Sequence, residues 1–281
     1  MRGPTRVMIP NARTCLVMAF LALLASPLGA APTIRVATGI AAETWDTLLK
    51  KYVNAHGLVA YEQWKANAAD LQALDAFLGR YAPAPAQPAT GAEEVAALIN
   101  AYNAFTIRWI LQNFPTDSIR ALDHSFGAAR WQVGGRTVSL DEIEHKNLRP
   151  LIGWKVHATI VCAARSCPPL QREAFTAANL EVLIEQSYRA WLGREDLNRF
   201  DSAGTLAAIS PIFKWFKDDF TGPGAVPQVL ARYAPDRQRT FLAKGDFKIE
   251  YLDYHWGLND QSGHGRDFRA GLLDRWFGNA K

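Results

Sequence analysis

At 281 residues, with 49% apolar side chains and nine tryptophans, the chain carries enough hydrophobic material for a large core and falls outside the disordered class. Its net charge of +4 includes three arginines and no acid within residues 1–30, so the remainder carries only +1. No basic cluster is left to neutralise a run of phosphates, and nucleic-acid binding is not expected.

Arg2, Arg6 and Arg13 precede an apolar run from Cys15 to Leu28, and Leu28-Gly29-Ala30 supplies small residues where a signal peptidase cuts. Residues 1–30 therefore read as a removable signal peptide. The run is too short to cross roughly 30 Å of hydrocarbon as a helix, and no other apolar window reaches about 18 residues. The expectation is an exported, periplasmic chain with no membrane span in its mature form, folded as a single domain over residues 31–281.

Two amphipathic helices are expected at Ala42–Asn54 and Tyr61–Arg80, followed by a Pro/Ala connector from Ala82 to Ala89. Glu93–Asn113 reads as the longest helix, apolar nearly all round and hence central, ended by Pro115. Asn100 and Asn103 interrupt its apolar surface. A buried amide is costly unless bonded, so the pair serves either a structural polar network or a pocket.

Trp131–Val138 reads as a hairpin turning at Gly134-Gly135. Ser139 and Glu142 form a capping box for a short helix ending near Arg149. Lys155–Ala163 reads as a buried strand, and Cys167-Pro168 as the entry to a short helix. Thr176 caps a helix through Leu192, Leu206–Ser210 is a strand, and a helix led by Ser210-Pro211 reaches Phe220. A helix over Val226–Ala243 and a strand over Phe247–Trp256 follow. Few strands separated by uneven helices give an α+β fold: a helical lobe packed on a small, largely antiparallel sheet.

Chemistry concentrates between His157 and Pro169. With Cys15 in the signal segment, only Cys162 and Cys167 remain, too few for a disulfide scaffold. They form a local disulfide, a reactive pair or part of a metal site; the spacing with His157 matches no common zinc pattern, and neither metal nor cofactor is expected. As the N-cap of a helix at Pro168, Cys167 would be activated by unsatisfied amides. Strand parity would put His157 on the face opposite Cys162. His145, with Asp141 and Arg149 one turn to either side, is the better candidate base, against the alternative of a solvated ion-paired helix face.

The segments EEVAALINAYNAFTIRWIL, VGGRTVSLDEIEHKNLRP, HATIVCAARSCPPL, SPIFKWFKDDF and YLDYHWGLN, in this order, resemble the bacterial and plant family known as domain of unknown function 547. The likeness runs from about Glu93 to Asn259 and departs at His255, where the family usually has an acid. It implies one domain, an exported context and a shared cluster of Asn100, Asn103, Glu144, His145, His157, Cys162, Cys167 and Pro168, without an activity. Glutaredoxin-like labels on some plant members do not carry over, because the spacing here is C-x4-C.

Two functions follow as expectations. One is a cysteine-dependent hydrolase or acyltransferase of the cell envelope, with Cys167 or Cys162 as nucleophile, His145 or His157 as base, and Glu144 and Asn103 beside them. The other is a non-catalytic module that binds an envelope substrate or peptide and carries a Cys162–Cys167 disulfide.

Overall fold

Helix α4, Gly91–Asn113, runs through the core with Leu98, Ile99, Tyr102, Ile107 and Ile110 fully covered. It is seen in a computed structural model that describes Gly3, residues 34–201 and residues 205–268. The chain divides into two units, Met1–Ala31 and Pro32–Lys281. The expected signal segment lies, apart from Gly3, outside the described residues.

The fold is α+β. Before α4 come α1 (Glu43–Tyr52), α2 (Tyr61–Lys65) and α3 (Ala68–Gly79). The single helix expected over Tyr61–Arg80 is thus two, because the Asn67 side chain accepts from the Asp70 amide and starts a new helix. Strands β1 (Trp131–Val133) and β2 (Arg136–Val138) form the expected hairpin. Gly134 and Gly135 take φ of +62° and +76°, the positive values that a tight hairpin turn requires at both positions.

Ser139 caps α5 (Leu140–Ile143) by accepting from the Glu142 amide. The helical path continues as a π turn over Glu144–Leu148 and then as α6 (Arg149–Ile152). After α7 (Leu180–Leu192) come β3 (Arg199–Asp201), β4 (Leu206–Ile209) and α8 (Ile212–Trp215). Then α9 (Val226–Tyr233), α10 (Asp236–Ala243) and β5 (Lys248–Tyr251) complete the order. In the second sheet β4 pairs antiparallel with β3 and parallel with β5. The expected Val226–Ala243 helix breaks at Pro235, which cannot continue it. Among the described residues no helix is long and apolar enough to cross a membrane.

Two expectations in the central segment are corrected. Lys155–Ala163 is no strand: Gly153–Ala158 is a 3-10 turn, and residues 159–163 run on without a ladder partner. A short apolar run shows only that a segment is buried, not which regular structure it takes. Nor does a helix start at Pro168. A residue before proline is pushed away from helical φ/ψ, and Pro168-Pro169 lacks two successive amide donors.

Where a ladder is missing, α4 supplies its hydrogen bonds. The Asn103 amide donates to the Thr159 carbonyl at 2.9 Å and its oxygen accepts from the Val161 amide at 2.9 Å. One turn earlier, Asn100 does the same to a single residue, donating to the Phe175 carbonyl at 2.7 Å and accepting from its amide at 3.0 Å. Each side chain acts as a peptide group would in a strand. Replacing Asn103→Leu would strand two buried backbone groups at about 1–3 kcal/mol each. Chemical denaturation should show a loss of that order, whereas an unchanged midpoint would mean that the clamp is not formed.

Candidate functional site

Cys162 and Cys167 are joined in a disulfide, their Cα atoms 6.3 Å apart. Both are buried, at 4% and 5% exposure, yet neither is sealed. The loop between them is pinned by the segment after β5. Asn259 donates its amide to the Ala163 carbonyl, Arg165 donates to Gly257, and Ser166 donates to His255. Ala163, a residue with a side chain, is held at a φ of +56°, a conformation that costs about 1 kcal/mol or more and persists only where surrounding contacts impose it.

Cys167 is not the N-cap of a helix, since residues 168–179 contain none. The sulfurs have other polar neighbours. The Cys162 amide donates to the Cys167 sulfur at 3.0 Å, and the Tyr254 hydroxyl donates to the same sulfur at 3.1 Å while also lying 3.1 Å from the Cys162 sulfur. Burial pushes the Tyr254 and Tyr102 phenols well above their ordinary range, Glu144 adding to both shifts, so both remain protonated donors.

One small pocket gathers most of the expected residues. Cys162, Cys167, Pro168, Glu144 and His157 line it with Tyr102, Trp215, Phe216 and Tyr254. Its volume of about 20 Å³ admits one water. Glu144 is 1% exposed and accepts from the Tyr102 hydroxyl at 3.1 Å. It stands at the start of the π turn, a rare departure from α geometry that is frequent at functional sites.

His157 reaches the same pocket as Cys162 because its 3-10 turn abolishes strand parity. Its Nε2 lies 2.8 Å from an Asp219 carboxylate oxygen and its ring stacks on Phe216 at 4.1 Å. Arg149 grips the same carboxylate through two hydrogen bonds of 2.6 and 2.9 Å. Burial alone would raise the Asp219 carboxyl, but the bonds from His157 and Arg149 outweigh it and hold it well below the usual range. Burial lowers His157, against the opposing pull of Asp219. The two directions agree on one state: an Asp219 carboxylate accepting from the Nε2–H of a neutral imidazole.

His145 is placed differently. Its Nδ1 lies 3.3 Å from an Arg149 guanidinium nitrogen, which can only donate, so Nε2 carries the hydrogen. That nitrogen is 3.9 Å from Asp141 and has no hydrogen-bond partner among the described residues. The expected face of Asp141, His145 and Arg149 exists, but Arg149 is committed to Asp219 and His145 does not line the pocket. Asn103 stands behind the site, holding the chain that leads to Cys162.

Sequence reasoning passed over Asp219, Tyr254 and Tyr102 as chemical groups. Asp219 lies within SPIFKWFKDDF and Tyr254 within YLDYHWGLN, so the segments were visible while the roles were not. His255, the departure from the family pattern, accepts from the Gly257 amide at Nδ1 and donates to the Arg266 carbonyl, closing a turn. A larger open groove of about 690 Å³ passes Glu43, Asp46, Glu93 and Glu173. Two of those acids already bind backbone, Asp46 the Ala174 amide and Glu93 the Gly39 amide, and we place the candidate site at the smaller pocket for its chemistry. Among the described residues no group of three or more His, Cys, Asp or Glu side chains is arranged to hold a metal ion.

Residues 87–192 match the model of the family described as "Protein of unknown function, DUF547". The match contains Asn100, Asn103, Glu144, His145, His157, Cys162 and Cys167 but stops before Asp219 and Tyr254, short of the span to Asn259 expected from the motifs. No curated protein and no solved structure matches the chain.

The His157 shift has a definite sign. Its ordinary value is about 6.5, and a depressed folded value means that the unfolded chain takes up the proton first. This stability is complete above about pH 6.5 and is lost as pH falls toward the folded value. Asp219 adds a second loss below about pH 4. Melting curves between about pH 7.5 and 4.5 should fall less steeply for His157→Gln than for the natural protein. Equal slopes would show that His157 is not held neutral by burial.

Proposed function

We propose that this chain belongs to the DUF547 family and is an exported, thiol-dependent acyl-transfer enzyme of the cell envelope, a hydrolase or acyltransferase, whose oxidised form carries the Cys162–Cys167 disulfide. The basic, apolar leader of residues 1–30 supports export to the periplasm. The observation that carries the enzymatic reading is one pocket lined by both sulfurs, the Glu144 side chain and an imidazole oriented by a half-buried acid, Asp219.

In the reduced protein, Cys167 is the nucleophile. The Cys162 N–H and the Tyr254 O–H already aimed at its sulfur favour the thiolate over the thiol. Asp219 fixes the His157 ring through Nε2, which leaves Nδ1 to exchange the proton with the leaving group. His157 thus takes the role that spacing alone suggested for His145. A disulfide-braced binding module is the second reading, favoured by the bonded sulfurs and by a pocket too small in this state for an acyl group.

Reduced protein should turn over activated thioesters and form an acyl adduct on Cys167 visible by intact mass. Cys167→Ser should lower kcat by about a thousandfold or more, and Asp219→Asn, which leaves the imidazole without its orienting acid, should also lower it. Turnover that survives Cys167→Ser, or reduced protein that forms no adduct, would leave the module reading in its place.

A further inference from the structure

We propose that the Cys162–Cys167 disulfide is a reversible redox couple in the folded protein, opened by an external dithiol that attacks Cys162 and expels Cys167 as the leaving thiolate. The inference rests on the reading above for its consequence, the release of the Cys167 nucleophile, and stands on its own observations for the exchange itself.

The first observation is an asymmetry between the two sulfurs. The Cys162 backbone amide donates to the Cys167 sulfur, and no backbone donor contacts the Cys162 sulfur among the described residues. The Tyr254 hydroxyl lies 3.1 Å from both. Once the bond opens, the Cys162 thiol can donate to the Tyr254 oxygen while the Tyr254 hydrogen points at Cys167, giving a chain that ends on a Cys167 thiolate. Hydrogen bonds to the charged form favour that form, and a stabilised thiolate is the faster leaving group.

The second observation is that the loop does not need the bond to keep its shape. Ala163, Arg165 and Ser166 are tied to residues 255–259 through backbone hydrogen bonds, and Asn103 holds the chain on the other side. A link across only five residues also restrains the unfolded chain less than a longer one would. The fold should therefore survive opening.

The electrons balance as follows. The reductant's thiolate forms a bond to the Cys162 sulfur, the Cys162–Cys167 bond breaks, and its electron pair passes to Cys167. The reductant's second thiolate then attacks its own sulfur in the mixed disulfide and expels Cys162, which takes up a proton. The dithiol becomes a disulfide, and the protein gains two electrons.

Equilibration of the full chain in graded ratios of reduced and oxidised dithiothreitol, with thiols trapped by N-ethylmaleimide and counted by intact mass, tests the couple. Both thiols should be gained together while the circular dichroism stays native, and limiting reagent should label Cys167 before Cys162. Tyr254→Phe, which keeps the ring and removes the donor, should make the protein about tenfold harder to reduce, or about 30 mV for a two-electron couple. Thiols that emerge only in denaturant would mark the bond as a brace and overturn the proposal, as would a Tyr254→Phe equilibrium unchanged from the natural one. A reversible couple in a reduced protein that transfers no acyl group would sustain the couple and remove the enzymatic reading.

Discussion

A backbone that enters the core must have its N–H and C=O groups paired, and this protein meets that demand largely without sheet. Its strands are three or four residues long, yet long irregular segments are buried. Asparagine side chains supply the missing partners. Asn100 and Asn103 clamp loop backbone onto α4. Asn147 accepts from the Ile34 amide and donates to the Glu142 carbonyl, and Asn198 links the Ser210 amide to the Trp191 carbonyl. All four are buried, and each uses both ends of its amide, which neither a carboxylate nor a hydroxyl reproduces with one geometry.

The candidate site inherits its geometry from these clamps. Asn103 fixes residues 159–161, and the chain leaves that grip directly into Cys162. Asn147 lies inside the π turn, which presents Glu144 to the pocket. Asn198 holds Ser210 at the start of the segment carrying Phe213, Phe216 and Asp219, where Phe213 stacks flat on Trp191 at 4.8 Å. Asp219 then meets His157 and Arg149 from the far side. The strained φ of Ala163 and the π turn are local costs that such an over-determined frame can hold in place.

Much of this was legible in the chain. The Ser139 cap, the Gly134-Gly135 hairpin and the buried α4 with its two amides follow from local rules that tertiary packing did not override. The motif segments also converge on one pocket, bringing Glu144, His157, Cys162 and Cys167 together. What failed was structure set by distant partners. Residues 155–163 carry an apolar run that suits a strand, but the hydrogen bonds came from a helix side chain more than fifty residues away. Strand parity then misplaced His157. Helical spacing favoured His145 because it sees Asp141 and Arg149 on one face, whereas Asp219, the acid that orients an imidazole, is 62 residues from His157. The pairing of distant loop residues leaves no periodic signature.

The account depends on the amide clamps being part of the stable core. Amide hydrogen exchange at Val161 and Phe175, whose N–H groups end on Asn103 and Asn100, tests this most directly. Both lie in segments without regular structure and should nevertheless exchange only through global unfolding, with protection matching the central turns of α4. Exchange of either amide at the rate of an open loop would contradict the account, because that clamp on α4 would then not belong to the stable core.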